Sequence, residues 1–157
     1  MTFDEIGLRT ALGRFCSGVT IVTASVAGTV HGMTANAFSS VSLSPPLVLV
    51  CVNRKARMHG FIVHGQRFGI SILSDTQAAL SQKFAGAENA VSEIVFEWCD
   101  GIAVIAGAIG HFICDHFSEH EAGDHTIFIG QVRKFATQPG EPLVYYSGRL
   151  GRISMTS

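Results

Sequence analysis

The run PLVLVCVN, Pro46 to Asn53, limits the possible folds of this chain more than any other stretch. Apolar side chains stand at almost every position, so both faces of an extended segment would be covered by other parts of the protein. A strand covered on both faces lies inside a sheet and not at its edge. The run is also far shorter than the roughly 20 residues that a membrane span requires. We therefore predict a central β-strand here.

Strand-like segments joined by short connections fill most of the remaining chain. They are SGVTIVTASV, a second extended run after a turn at Gly28, FGISIL, IAVIAGAIGHFICDHF, HTIFIGQVRKFA and LVYYSG. Because helices do not alternate regularly with these segments, their order favours antiparallel β structure over a doubly wound parallel sheet. We predict about five to seven strands closed into a barrel, in a single domain that spans residues 1–157.

Capping and periodicity patterns predict three helices. The first has Thr2 as its N-cap, with Glu5 completing a capping box. Its apolar face consists of Leu8, Ala11, Leu12 and Phe15. The second, KARMHGFIVHG, is expected to stop at Gly65. The third opens with a capping box formed by Ser74 and Gln77.

Charge and composition narrow the partners and the location. The 157 residues carry a formal net charge of −1 without a basic cluster, which argues against nucleic acid and anionic membranes as partners. The start, MTFDEIGLRT, has acidic residues where a secretory signal is basic and then apolar. Four cysteines without a C-x-x-C pair are expected to be buried free thiols in a cytoplasmic protein. A mean hydropathy of +0.34 favours a homodimer, in which a second subunit covers apolar surface.

The stretch GMTANAFSSVSLSPP, Gly32 to Pro46, crowds small hydroxyl groups and one amide between apolar neighbours just before the central strand. We predict a loop at the barrel rim, where short side chains let a flat polar ligand approach the backbone. Such groups suit a flavin, with hydrogen bonds to the ring and hydroxyls for the tail. Composition alone favours a set of turn and capping residues between two strands.

Five segments, in this order and spacing, resemble the short-chain flavin reductases, the reductase components of two-component flavin monooxygenases. The segments are GRFCSGVTIVTA, HGMTANAFSSVSLSPPLVLVCVN, FGISIL, GDHTIFIGQV and PLVYYSGRLGRI, and the resemblance runs from about Arg9 to Ile153. It implies a mainly β fold of the FMN-binding split-barrel type, an antiparallel Greek-key split β-barrel with a few flanking helices. It also implies a homodimer that uses NADH or NADPH to reduce FMN or FAD for a separate oxygenase component.

The resemblance also assigns candidate site residues. Thr34, Ala35 and Asn36 fall where the family lines the isoalloxazine ring. Positions toward the ribityl chain and phosphate are Ser39, Ser40, Val41, Asn53 and Lys55. His125 occupies the GDH position that the family associates with the nicotinamide, and we take it as the catalytic candidate. Without the family match, His125 would be a packed histidine on a buried strand that it shares with Ile127 and Ile129.

Three further residues are candidates with an alternative left open. Arg57 can hold a phosphate as a charged fork or stand in solvent on a helix, so the choice between FMN and FAD stays open. Adjacent Tyr145 and Tyr146 point to opposite faces of a strand, so one at most stacks on a ligand, and we assign Tyr146. Arg149 can meet a cofactor phosphate or cover apolar surface.

A metal site is the main rival to an organic cofactor site. HFICDHFSEHEAGDH places four histidines among four carboxylates, and such side chains are plausible metal ligands. His111 and His116 face opposite sides of a continuous strand, however, and His116, Glu119 and His120 read as a hairpin tip. We therefore predict no metal.

No glycine-rich nucleotide motif and no hydrolase motif is present in the sequence, so no acidic ribose-binding residue distinguishes NADH from NADPH. The alternative to an enzyme is a flavin-binding split barrel without turnover, acting as a carrier or sensor.

Overall fold

The computed structural model describes residues 3–87 and 93–154. In this part of the chain antiparallel strands dominate: 54% of the residues are in strands and 18% in helices. Twelve strands are present among the described residues, more than the sequence predicted, because several predicted segments divide into two strands. They are β1 Ser17–Gly18, β2 Thr20–Val26, β3 Thr29–Ala35, β4 Phe38–Leu43, β5 Pro46–Asn53, β6 Arg67–Ile72, β7 Phe96–Cys99, β8 Ile102–Ile105, β9 Gly110–Ala122, β10 His125–Thr137, β11 Leu143–Tyr146 and β12 Arg149–Arg152.

Seven of these strands form one sheet in the order β3-β2-β6-β9-β10-β5-β4. Two smaller sheets pack beside it, a three-stranded sheet in the order β1-β11-β12 and the β7-β8 hairpin. The prediction for Pro46 to Asn53 is confirmed, because β5 pairs with β4 on one side and with β10 on the other.

The main core lies on one face of the large sheet. Side chains along β5 alternate between half-buried and buried, and the buried ones point inward toward Phe68 and Phe128. The inward set of β5 is Val48, Val50 and Val52. The opposite face of β5 is only half-buried, so the strand is apolar on both faces but buried on one.

The two outer strands of the large sheet are β3 and β4, which are consecutive in the chain. Only Asn36 and Ala37 separate them, so the sheet curls until its two edges approach each other. The Thr20 hydroxyl donates to the Ala35 carbonyl over 2.6 Å, and the Cys51 amide donates to the Ala37 carbonyl over 3.0 Å. No ladder joins β3 to β4 within the described residues, so the sheet is curled without being a closed barrel.

The predicted rim loop after Gly32 is for the most part wrong. Gly32 to Ala35 completes β3, and Phe38–Leu43 forms the edge strand β4, which leaves a two-residue link. An edge strand tolerates polar side chains, because its backbone pairs with one neighbour while its side chains meet solvent. The serines of this stretch are therefore compatible with the ladder that β5 offers.

The first helix, α1, differs from its prediction. It runs over Glu5–Leu12, and its N-cap is Asp4, whose carboxylate accepts from the Gly7 amide over 2.8 Å. The predicted cap Thr2 lies outside the described residues. None of the α1 residues is buried, so its predicted apolar face does not contact the core.

The second helix, α2, spans Arg57–Gly65 and buries Met58 and Ile62. Gly65 is its last residue and not its stop, because Gln66 takes the left-handed conformation with φ 58° and caps the helix. Before the third helix, the capping box of Ser74 and Gln77 is confirmed at a short 3₁₀ turn, Asp75–Gln77. That turn leads into α3, Ala78–Phe84.

The predicted hairpin tip of the histidine-rich segment is also misplaced. His116, Glu119 and His120 all lie within β9, and the turn to β10 falls at Gly123 and Asp124. β9 and β10 each have 13 residues and pair along their length, while the first half of β9 also pairs with β6 and the first half of β10 with β5. The last residues of each strand are exposed, and those of β9 include the acidic Glu119 and Glu121.

Two sequence-level expectations concern cysteines and membranes. All four cysteines are free, but only Cys114 is buried, whereas Cys16 is exposed and Cys51 and Cys99 are intermediate. No helix in residues 3–87 and 93–154 combines the length and apolar character needed to cross a membrane.

Candidate active site

A two-armed cleft opens where the β3-β4 link meets the small β1-β11-β12 sheet. Each arm has a volume of about 700 Å³, and the two arms share Asn36, Tyr145 and Gly148. One arm, here called the α3 arm, is walled by Thr34, Ser81, Gln82 and Arg149. The other, called the α1 arm, is walled by Arg9, Leu12, Arg14 and Phe15. Asn36 and Tyr145 thus stand at the junction of the cleft.

Two polar side chains, Thr34 and Asn36, line the cleft near the junction. Thr34 is the penultimate residue of β3, and its hydroxyl donates to the Ser81 carbonyl over 2.6 Å, which ties β3 to α3. The hydroxyl oxygen of Thr34 keeps its capacity to accept a further hydrogen bond. Asn36 is exposed, and its amide has no hydrogen-bond partner among the described residues. Asn36 can therefore donate to and accept from a ligand in the cleft, whereas Thr34 can accept only.

Side chains alternate between the two faces of β11, and Tyr145 lies on the face that borders the cleft. Its backbone pairs with Ser17 on β1 and with Leu150 on β12, and its side chain packs against a buried apolar cluster. Tyr146 points to the opposite face, where it is 44% exposed and lines an adjoining groove beside Arg149. The sequence analysis assigned Tyr146, whereas the structure puts Tyr145 at the junction. Strand parity alone does not say which of two adjacent tyrosines faces a ligand.

The cleft is basic. Arg9, Arg14 and Arg149 line it, and none of the described residues in its walls carries a carboxylate. Arg9 and Arg149 make no ion pair or side-chain hydrogen bond with a described residue. Because the whole chain has a net charge of −1, this is a local excess of positive charge. Such a surface suits a ligand that bears phosphate groups.

Three more predicted site residues form a second cluster at the end of β5. His125 pairs in register with Asn53, and the Asn53 side-chain oxygen accepts from the Lys55 amide over 2.9 Å. His125 Nδ1 lies 2.8 Å from the Asp124 carboxylate, and this hydrogen bond holds the pKa of Asp124 below its usual value. His125 shares a face with Ile127 and Ile129, but this face is half-buried and not buried.

The other predicted residues lie outside the cleft. Ala35 is buried beneath the β3-β4 link. Ser39, Ser40 and Val41 stand exposed along β4, where the Ser39 hydroxyl donates to the Ser40 carbonyl. Arg57 begins α2 and lines a separate groove with Phe61 and His64. Burial and the Arg57 charge together lower the pKa of His31 on the neighbouring strand.

The histidine-rich segment does not assemble a metal site in the part of the chain that the structure describes. No group of three or more His, Cys, Asp or Glu side chains there could hold a metal ion. His116 instead packs edge-on against Phe128, with ring centroids 5.7 Å apart, and its Nε2 lies 3.3 Å from Glu119.

Comparison with known proteins identifies the family of this chain. The flavin reductase like domain family matches residues 12–154, which is nearly the whole chain. The chain belongs to this family. An NADH-dependent flavin reductase of a Rhodococcus species is 47% identical over 151 residues, which cover 94% of this chain and 86% of that protein. The reductase component of a 4-nitrophenol 4-monooxygenase/4-nitrocatechol 2-monooxygenase from Rhodococcus opacus is 38% identical, covering 96% of this chain and 82% of that protein.

A solved structure shares the architecture. The NADH:FAD oxidoreductase SgcE6 of Streptomyces globisporus, in complex with NAD and FAD fragments, superposes with a TM-score of 0.90 at 37% identity. The match covers 96% of this chain and 93% of that chain. The mainly β, antiparallel fold of the present flavin reductase-like domain is therefore the fold of a flavin-dependent oxidoreductase family.

The contact between Arg14, which follows α1, and Tyr146 on β11 generates a prediction about Tyr146. Arg14 Nη1 donates to the Tyr146 hydroxyl over 3.5 Å, and this hydrogen bond with the nearby positive charge lowers the pKa of Tyr146. We expect the variant Arg14→Gln to raise the pKa of Tyr146 toward its usual value of about 10. An ultraviolet titration of tyrosinate absorbance measures the shift directly, because the chain has only two tyrosines.

The variant Tyr146→Phe identifies which transition belongs to Tyr146. If that transition keeps the same midpoint in Arg14→Gln as in the unmodified protein, the contact between Arg14 and Tyr146 is absent in solution.

Proposed function

We propose that this protein uses NADH to reduce FMN or FAD and delivers the reduced flavin to a separate monooxygenase component. The main support is the cleft whose two arms meet at Asn36 and Tyr145, in a chain of the flavin reductase family. Within the described residues, the Asn36 amide has no hydrogen-bond partner, and Arg9 and Arg149 in the cleft have no ion pair. The relatives support the proposal, since one is an NADH-dependent flavin reductase and another is a monooxygenase reductase component.

The residues of the cleft fit a flavin ring. The Asn36 amide has no hydrogen-bond partner among the described residues, so it is available to bind ring nitrogens or carbonyl oxygens. The link at Asn36 and Ala37 is exposed, so a planar group can approach its backbone. Ser39, Ser40 and Val41 on one side, and Asn53 with Lys55 on the other, would then follow the flavin tail away from the cleft. Arg149 is left free to meet a phosphate.

The chemistry asks for positioning more than for acid and base catalysis. Flavin supplies a ring that accepts the hydride which the reduced nicotinamide donates. The protein must hold the two rings face to face, and orientation of this kind contributes about 7–11 kcal/mol in well-aligned systems. The two rings would be surrounded by Thr34, Asn36 and the packed ring of Tyr145. None of the described residues that line the cleft is acidic, so the phosphate groups of the substrates are not repelled there.

The proposal predicts flavin-dependent oxidation of NADH. The purified protein should consume NADH in air rapidly with added FMN or FAD, and only at background rate without flavin. Absorbance at 340 nm follows the reaction, and the same assay with NADPH reports the donor preference.

A protein that binds flavin but whose bound flavin is not reduced by either nucleotide would be a carrier or sensor, and the enzyme proposal would then be wrong.

The variant Asn36→Ala tests whether the flavin binds in the cleft. We expect it to weaken FMN binding severalfold, because it removes the unpaired amide at the junction.

His125 is proposed to lie beside the nicotinamide during transfer. The variant His125→Ala should lower the rate of hydride transfer about 10- to 100-fold, since small losses of alignment carry penalties of this size. Stopped-flow measurement of flavin reduction at saturating NADH tests this effect.

His64 on α2 offers a matched control, because it is exposed and hydrogen-bonds only to the Gly60 carbonyl within its own helix. His64→Ala should reduce flavin at the normal rate. An unaltered rate in His125→Ala would remove His125 from the reaction.

We propose further that residues 1–157 act as one domain of the Greek-key split-barrel type, in a cytoplasmic homodimer. The curled sheet, with its edges meeting at Asn36 and Ala37, supports the barrel. Free cysteines support a reducing compartment. Dimerisation is supported by the half-buried outer face of β5 and β10, where Leu49 stands opposite Ile129 and Cys51 opposite Ile127.

The proposed homodimer predicts the mass of the protein in solution. Sedimentation equilibrium should return twice the chain mass of 16.7 kDa. The variant Ile129→Glu places a charge on the outer face and should shift the mass toward that of one chain. A single-chain mass for the unmodified protein at all concentrations would contradict the homodimer.

A further inference from the structure

We propose that Asp124 is a positioning residue, which holds the His125 ring so that its Nε2 atom is presented to the nicotinamide. The inference rests on the proposed reductase function, in which His125 lies beside the nicotinamide ring. Asp124 touches neither substrate in this arrangement and acts only through His125. It therefore adds a second side chain to the set that aligns the two reacting rings.

The contact between the two side chains determines which nitrogen of the ring carries a proton. Asp124 Oδ1 lies 2.8 Å from His125 Nδ1. This hydrogen bond lowers the pKa of Asp124, so at neutral pH the carboxylate is ionised and can only accept. Nδ1 is therefore the nitrogen that donates, and Nε2 has no hydrogen-bond partner among the described residues.

Backbone hydrogen bonds hold both residues at the β9-β10 turn. Gly123 takes the left-handed conformation with φ 66°, and the Arg54 amide donates to the Asp124 carbonyl over 3.0 Å. His125 pairs with Asn53 on β5. The His125 side chain is nevertheless 43% exposed, so packing alone does not fix the direction of its ring. The hydrogen bond to the Asp124 carboxylate fixes it.

β5 brings His125 within reach of a nicotinamide ring near the link between β3 and β4. The Cys51 amide donates to the Ala37 carbonyl of this link, and Asn53, the partner of His125, lies two residues further along the same strand. Two residues of a strand span about 7 Å. A nicotinamide that stacks on a flavin near the link can therefore extend its carboxamide group to His125.

The fixed ring offers a hydrogen-bond acceptor at a defined point. A neutral imidazole that donates from Nδ1 has a lone pair at Nε2. The carboxamide of reduced nicotinamide includes an amino group, which can donate to this lone pair. Such a hydrogen bond limits the rotation of the nicotinamide ring over the flavin, and hydride transfer depends on that alignment. Without Asp124 the ring can turn or carry its proton on Nε2, and the acceptor is lost.

Lys55 provides a rival role for Asp124. The Lys55 charge contributes to the lowered pKa of Asp124, and Lys55 is a candidate for the flavin tail. A carboxylate that acted through Lys55 would change flavin affinity and leave hydride transfer unaltered. A positioning residue for His125 would do the reverse, so binding and rate measurements separate the two roles.

The first test observes the His125 proton without any substrate. ¹⁵N NMR spectra of the unliganded protein are recorded at about pH 8.5, well above the usual titration range of histidine. The signals of His125 are identified by their loss in His125→Ala. We expect the proton on Nδ1 in the unmodified protein, and a mixture of Nδ1 and Nε2 protonation in Asp124→Ala.

The second test is stopped-flow measurement of flavin reduction at saturating NADH. Asp124→Ala should reduce flavin about tenfold more slowly, the effect of one lost hydrogen bond. The double variant of Asp124→Ala and His125→Ala should be no slower than His125→Ala, because Asp124 acts only through His125. The matched control is Glu121→Ala, which removes an exposed carboxylate near the same turn, where Glu121 pairs with Arg54 at 3.5 Å. Glu121→Ala should reduce flavin at the normal rate.

The third test uses a reduced dinucleotide in which an acetyl group replaces the carboxamide. This donor keeps the carbonyl group but lacks the amino group that Nε2 would accept from. Asp124→Ala should therefore not slow flavin reduction by this donor. The dissociation constant of FMN should also be the same in Asp124→Ala as in the unmodified protein.

Several results would overturn the inference. An unchanged proton position in Asp124→Ala would show that the carboxylate does not hold the ring. A double variant slower than His125→Ala, or an equal loss with the acetyl donor, would make Asp124 a structural residue. Weaker FMN binding with an unaltered rate would assign Asp124 to Lys55. If the unmodified protein reduces flavin with neither NADH nor NADPH, the proposed function itself fails, and the NMR spectra still test the hold of Asp124 on His125.

Discussion

The connection between the two edges of the large sheet determines where this protein can have a site. Asn36 and Ala37 alone lead from β3 to β4, although these strands lie at opposite ends of a seven-stranded order. So short a link requires the sheet to curl, and the right-handed twist of its strands favours such curling. The Thr20 and Cys51 hydrogen bonds fasten the backbone on both sides of the link. The exposed Asn36 amide is held at a fixed point as a consequence.

The large sheet is also closely packed around Gly130 on β10. Gly130 on β10 lies so near its neighbours that an added Cβ would stand 2.6 Å from Phe68 Cζ and 2.8 Å from Cys114 Cβ. The absence of a side chain there lets β10 approach the Phe68 ring, which is wholly buried in the core. Tight packing of this kind leaves little room for movement, because protein interiors are as dense as organic crystals and hardly compressible. The link and the cluster around His125 therefore sit on a rigid support.

Sequence patterns predicted those parts of the structure that depend only on residues close together in the chain. The capping box of Ser74 and Gln77 needs only a local pair, and the strand at Pro46 to Asn53 follows from its own apolar run. The edge strand β4 could not be predicted in this way, because its serines take an extended form only through pairing with β5. The choice of Tyr145 over Tyr146 likewise depends on which face of β11 meets Asn36. The family could be predicted because five segments over most of the chain match it together, whereas no single motif would have been sufficient.

Charge distribution joins the fold to the reaction. The chain is slightly acidic overall, yet none of the described residues that line the cleft is acidic, and carboxylates such as Glu119, Glu121 and Asp124 lie around the β9-β10 turn. Arg54 pairs with Glu121 at 3.5 Å, and Asp124 hydrogen-bonds to His125, so part of this negative charge is balanced locally. Arg9 and Arg149 in the cleft form no ion pair with a described residue. Two phosphorylated substrates that must meet face to face repel each other, and a positively charged cleft reduces that repulsion while attracting both.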